Sequence, residues 1–143
     1  MKARILVVDD TRIWRNSMKR ALQHKYEVDT AASYQEALTL LRSAPPYQVV
    51  VTDIGLSGDE TNTDGIDLLL DVKALSPTTM TIAVSGRPAT VNKESFAQKY
   101  QAITYLEREI LSKERETFVA WVDQGVMLSR QAKDEQNPAG PQS

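Results

Sequence analysis

Three carboxylates stand where apolar runs end. Asp9-Asp10 follow Ile5-Leu6-Val7-Val8, and Asp53 follows Val49-Val50-Val51 by way of Thr52. Continuous aliphatic runs of this length are expected of strands buried on both faces in a parallel sheet. If both strands end at one sheet edge, the acids converge and their repulsion must be relieved. A divalent cation does so most simply, and a hard, oxygen-seeking ion such as Mg²⁺ suits these ligands, with Mn²⁺ able to substitute. An aspartate charged in this way at a strand end can act as a nucleophile toward phosphorus.

The remaining composition narrows the chemistry. The chain has 143 residues, 17 basic against 19 acidic, and a formal charge of −2. One domain of ordinary size is expected, and no basic excess points to nucleic acid. There is no cysteine, which excludes disulfides and thiolate metal sites, and the single histidine, His24, leaves little for a zinc site. The run after Met1-Lys2-Ala3-Arg4 is too short for a signal peptide, and no stretch approaches a membrane span. A soluble cytoplasmic protein is the expectation.

Elements that could position the acids alternate along the chain. Trp14, Met18, Ala21 and Leu22 recur at helical spacing after Asp10, and 26–30 alternates as a short strand. Ser33-Tyr34-Gln35-Glu36 predicts a capping box opening a helix through Ala37, Leu38 and Leu41, which stops before Pro45-Pro46. The Asp53 strand leads through a polar loop to a helix with Ile66, Leu69, Leu70 and Leu75. Strands at 80–84 and 102–106 flank a weaker helix over 92–100. A last helix from about Ser112 buries Phe118, Val119, Val122 and Val126. Residues 129–143 turn polar and end in Asn137-Pro138-Ala139-Gly140-Pro141, the composition of a disordered tail or linker stub after a domain over 1–128.

Five βα units imply an α/β, flavodoxin-like, doubly wound parallel sheet, because right-handed crossovers permit little else. The expected strand order is 2-1-3-4-5, whose switch point lies between the first and third strands. Those are the strands that carry the acids.

On these residues the chain resembles the receiver domains of bacterial two-component response regulators, CheY-like proteins, from about Lys2 to Val126. The matching segments are Leu6-Val7-Val8-Asp9-Asp10, Val51-Thr52-Asp53, Val84-Ser85-Gly86 and Tyr105-Leu106-Glu107-Arg108. The resemblance implies that Asp53 is the phosphoacceptor, and that Asp10 and Asp53 bind Mg²⁺ directly. Asp9 would act through a water, and the main-chain carbonyl of Gly55 would complete the protein ligands. Ser85 would hydrogen-bond the phosphoryl group, and Tyr105 would be the aromatic that swings inward. It also implies a signalling switch rather than an enzyme. Its partners would be a histidine kinase or histidine phosphotransfer protein. An effector or second copy would bind the face of the fourth helix, fifth strand and last helix.

The chain departs from that pattern at three places. The family's lysine after the fifth strand is Arg108, followed by Glu109 where proline is usual. Gly58-Asp59-Glu60-Thr61-Asn62-Thr63 lengthens the loop after Asp53, and Ser57 stands where a proline is usual. Arginine keeps the charge but prefers bidentate pairing. Arg108 is expected to contact the phosphoryl oxygens, the rival being that it pairs with Asp53 at rest. The alternative functions are a pseudo-receiver binding module with little phosphorylation and, further off, an aspartate-nucleophile phosphatase, which needs Asp-x-Asp spacing. The plain readings are a turn or cap for Asp9-Asp10, a turn for Ser85 and an ordinary strand aromatic for Tyr105. Trp14 reads as packing more than function, though its place one turn after Asp10 sets it near the metal; Trp121 reads as core or partner surface, and the charge run 107–116 as a solvated helix start.

Overall fold

The computed structural model describes residues 2–43, 46–54, 64–86 and 93–136. Strands β1 (Arg4–Val8), β2 (Glu27–Ala31), β3 (Val49–Asp53), β4 (Met80–Ser85) and β5 (Thr104–Glu107) form one sheet in the order β2-β1-β3-β4-β5. All four pairings are parallel. Between and after them lie α1 (Arg12–Leu22), α2 (Tyr34–Ser43), α3 (Asp64–Leu75), α4 (Lys93–Tyr100), α5 (Ile110–Lys113) and α6 (Arg115–Gln136). The expected flavodoxin-like order is thus the observed one.

The apolar runs are buried on both faces, as a parallel sheet between helices requires. Ile5 and Val7 of β1 join Val49, Val51, Ile82 and Val84 under Met18 and Leu22 of α1 and Phe118, Val122 and Val126 of α6. Leu6, Val8 and Val50 point the other way, onto Ala37 and Leu38 of α2 and Leu68 and Val72 of α3. Gly125 belongs to the first layer for a steric reason. A Cβ there would lie 2.8 Å from Val49 Cγ2, so a helix seated this close to β3 needs glycine at that point.

Several helix ends follow local chemistry. At α2 the Ser33 hydroxyl accepts the Glu36 N–H at 3.2 Å, and the Glu36 carboxylate reaches back to the Ala32 N–H at 2.7 Å, one residue earlier than the usual box. Helix α4 ends at Gln101, which takes φ 58°, while the Ala102 N–H reaches the Ala97 carbonyl at 2.9 Å.

The C-terminal part differs from the sequence expectation in two ways. The single last helix is broken at Glu114, whose φ −142° and ψ 58° are not helical and whose carbonyl starts α6 by accepting from Phe118. The run 107–116 is accordingly not one solvated helix start: Glu107 closes β5, and Arg108 turns the chain with its N–H on the Ser85 carbonyl at 2.8 Å. Helix α6 also continues to Gln136, with Ser129 buried, so the boundary placed at 128 falls inside a helix. The tail beyond 136 lies outside the described residues, as do Gly55, Ser57 and the loop from Gly58 to Thr63.

Candidate functional site

Register brings the acids together. Val8 pairs with Thr52, so Asp9, one residue past β1, stands level with Asp53 at the end of β3. Asp9 is held there by its N–H on the Ala31 carbonyl at 3.1 Å, and the Thr11 N–H donates to its Oδ1 at 2.8 Å. Arg15, on the first turn of α1, donates to the Asp9 main-chain carbonyl at 2.9 Å. Asp9 and Asp53 are buried and Asp10 is exposed. Thr11, not Asp10, is the residue before α1, and its hydroxyl makes no cap hydrogen bond.

One oxygen from each of Asp9, Asp10 and Asp53 lies within 4.8 Å of the others. Burial is the main cause that raises the Asp9 pKa from 3.8 to about 6; the Thr11 N–H opposes it, Asp53 adds to it, Arg108 opposes it, and Asp10 adds last. A site of oxygen donors alone, in which burial first and neighbouring carboxylates after it resist ionisation, fits a hard divalent cation. Two carboxylates buried side by side without one need another source of positive charge.

Arg108 supplies it. Its Nη2 donates to Asp53 Oδ2 at 2.7 Å and also contacts Asp9 Oδ2 at 3.2 Å. The side chain is only 17 % exposed, so these ion pairs are largely shielded from water. Of the two dispositions open in the sequence, contact with phosphoryl oxygens or pairing with Asp53, the structure shows the second. It extends to Asp9, which the sequence did not suggest.

The remaining predicted residues fall on neighbouring strand ends. Asp53 pairs with Val84, so Ser85, the last residue of β4, is buried one step beyond the acid level on the adjacent strand. Gly86 follows, with the Arg108 guanidinium close against it. Tyr105 pairs with Ala83 and is buried with it and Leu69, its ring edge-on to Phe96 at 5.0 Å and 80°. The tyrosine is thus buried among Leu69, Ala83 and Phe96. Gly55 lies outside the described residues, so its carbonyl is not placed.

Sequence reasoning missed two contacts. Trp14 carries the Arg108 guanidinium, whose carbon lies 5.5 Å from the ring centre. Arg15 fastens the Asp9 main chain. Position had already set Trp14 near the acids without disclosing its contact with Arg108, and the same signal was available for Arg15, since each lies within about one helical turn of Thr11. Trp121 does as its plain reading has it, partly buried against the core beneath α6.

Comparison with known proteins agrees with this geometry. No curated protein matches the sequence. Among solved structures, the chain is similar to a CheY-like response regulator receiver domain protein from Methanospirillum hungatei JF-1, at 23 % identity and a TM-score of 0.77, covering 92 % of this chain and 99 % of that one. It is similar to an adenylate cyclase structure from Rhodopirellula baltica at 18 % identity and a TM-score of 0.78, over 99 % of each chain. NtrX from Brucella abortus, solved with ADP, matches at 24 % identity and a TM-score of 0.78, over 95 % of this chain but 30 % of its own. At these identities the likeness is one of fold. Among the described residues no helix is long and apolar enough to cross a membrane. The response regulator receiver domain profile matches residues 5–120, most of the chain, and the chain belongs to that family of two-component signalling domains.

Proposed function

We propose that the protein is a phosphorylation-dependent switch in which Asp53 accepts a phosphoryl group from a histidine kinase or histidine phosphotransfer protein. The observation that carries this reading is the meeting of Asp9, Asp10 and Asp53 within 4.8 Å at the ends of β1 and β3. Asp10 and Asp53 would hold Mg²⁺ directly, Asp9 through a water, and the Gly55 carbonyl would be the remaining protein ligand. The bound cation would supply charge neutralisation for the attacking carboxylate and the transferred group.

The chain's own residues do the rest. An Asp53 oxygen attacks phosphorus, the P–N bond of the donor breaks, and the leaving nitrogen keeps the electron pair and takes a proton. An acyl phosphate remains on Asp53. Little covalent work is asked of the protein beyond position and charge. Ser85 donates its hydroxyl to one phosphoryl oxygen, and Arg108 transfers its Nη2 contact from the Asp53 carboxylate to another. The added charge, about −1 to −2, draws Ser85 toward the site and stabilises Tyr105 inward. That biases the surface of α4, β5 and α6 for an effector or a second copy. The bias needs only a few kcal/mol. The protein assists its own phosphorylation and dephosphorylation in this reading without being an enzyme acting on others.

One observation favours a second reading, a pseudo-receiver that binds partners with little phosphorylation: Arg108 already sits on Asp53 Oδ2 at 2.7 Å. A single experiment separates the two. With Mg²⁺ and acetyl phosphate or phosphoramidate, intact mass should show one added phosphoryl group on the wild type and none on Asp53→Asn. An unlabelled wild type would leave the pseudo-receiver. A label mapped to Ser57 or Ser85 would remove Asp53 from its role.

A further inference from the structure

Arg108 is confined on several sides. The carboxylates of Asp53 and Asp9 hold Nη2 at 2.7 and 3.2 Å, and the Trp14 ring lies against the guanidinium at 5.5 Å. Gly86 bounds a further side: a Cβ there would stand 2.7 Å from Nη1 and 3.1 Å from Cζ, so the slot exists because residue 86 has no side chain. The buried Nε has no hydrogen-bond partner. A guanidinium free to choose would not leave a buried donor unsatisfied. Its seat is set by the two carboxylates and by the indole face, not by its own hydrogen-bonding capacity.

We infer that Trp14 is a positioning residue: its ring holds the Arg108 guanidinium against Asp9 and Asp53, where it competes with the divalent cation for those two carboxylates. The inference rests on the reading of the acid cluster as the cation site. Its physics is simple exclusion. A doubly charged ion held directly by the Asp53 carboxylate and through a water by Asp9 would lie within a few ångströms of a fixed positive charge, in a place that water screens poorly. One of the two must give way. The planar guanidinium stacks on an indole where an ammonium offers only a point charge, so arginine at 108 and tryptophan at 14 belong to one device. Trp14 sits in the first turn of α1, only half-buried, and its ring can be altered without opening the centre of the core.

Calorimetric titration of the full chain with Mg²⁺ tests this, because affinity is read without any phosphorylation. Arg108→Ala should bind Mg²⁺ about tenfold tighter or more. Trp14→Leu and Trp14→Ala should each tighten binding about threefold, the factor that a partly exposed cation–π contact contributes. Trp14→Phe, which keeps an aromatic face, should stay near wild type. In the double variant Trp14→Leu/Arg108→Ala, affinity should match Arg108→Ala alone, because the ring acts only through the arginine. A merely structural role for Trp14 would lower stability without tightening binding, or would add to the Arg108→Ala effect; either result overturns the inference. If the Arg108 variant tightens and the Trp14 variants do not, the cation site stands and only the role of Trp14 falls. If neither wild type nor Arg108→Ala takes up Mg²⁺, the cation site fails and the competition with it.

Discussion

Replacing Asp9 by asparagine should stabilise the cation-free protein at neutral pH, although Asp9 belongs to the proposed site. Burial raises its pKa from 3.8 to about 6, and Asp53 and Asp10 add to the rise. A shift of about two units corresponds to ~3 kcal/mol against the ionised form in the folded state. The sign follows from proton linkage. Between pH 4 and 6 the folded protein binds more protons at Asp9 than the unfolded chain does, so stability falls as pH rises through that window. The contribution is fully present below pH 4 and is lost above about 6. Asparagine keeps an oxygen for the Thr11 N–H but gives up the attraction to Arg108, so the net gain at pH 7 should be ~1–2 kcal/mol. Urea denaturation with chelator present, at pH 4.5 and pH 7.5, measures it. Asp9→Asn should be the more stable protein at pH 7.5, and the difference should shrink at pH 4.5. Saturating Mg²⁺ should reverse the order, since only the wild type gains fully from ligand binding, by ~2.7 kcal/mol at a hundredfold excess over Kd. An Asp9→Asn protein no more stable than wild type at pH 7.5 without cation would refute the reasoning that the site stores electrostatic strain.

Other perturbations are as readily checked. At saturating Mg²⁺, where competition for the carboxylates no longer matters, Arg108→Ala should label with acetyl phosphate ~10²-fold more slowly for lack of a charge on the phosphoryl oxygens. Arg108→Lys should keep part of the rate, and an alanine variant faster than wild type would mean that the resting ion pair is the arginine's whole role. Gly125→Ala should cost ~1–3 kcal/mol in chemical denaturation, because its Cβ would press on Val49 Cγ2 at 2.8 Å and Ile103 Cδ1 at 3.2 Å. Gln101→Gly should instead stabilise by about 0.5–1 kcal/mol, by relieving an exposed side chain held at φ 58°.

The parts of the molecule legible in the sequence are those set by burial. Strands β1 and β3 bury every side chain from Ile5 to Val8 and from Val49 to Val51, and a segment with no solvent face has no reason to alternate. Once these were parallel neighbours, the meeting of Asp9 and Asp53 followed from topology. The C-terminal helix was less legible because burial does not decide it. Residues 130–135 face solvent for the most part, yet Arg, Gln, Ala, Lys and Glu favour helix intrinsically, and the first proline after them is Pro138. A low apolar content there suggested a tail where propensity alone extends a helix. The break at Glu114 had no marker of composition either. It separates a segment tied to β4, through the Arg108 N–H on the Ser85 carbonyl, from one tied to the turn between α1 and β2, where Lys25 and Tyr26 donate to Asp123.

Arg108 shows where sequence reasoning about a site must stop. Its residue type restricted it to anions: carboxylates at rest or phosphoryl oxygens afterwards. What the type could not disclose is which anion it meets in the folded protein, since that depends on groups from three other elements. Trp14 comes from α1, Gly86 follows β4, and Asp9 follows β1, and they become neighbours only when the sheet is assembled. The same dependence makes the substitution of arginine for the family's lysine more than a change of length. Lysine in this slot would bring charge without a plane, and the indole of Trp14 would have little to hold. With arginine, the proposed nucleophile already carries the protein's own cation, and phosphorylation in the proposed reading would require that this cation be moved from the Asp53 carboxylate to the incoming group, not merely that a metal arrive.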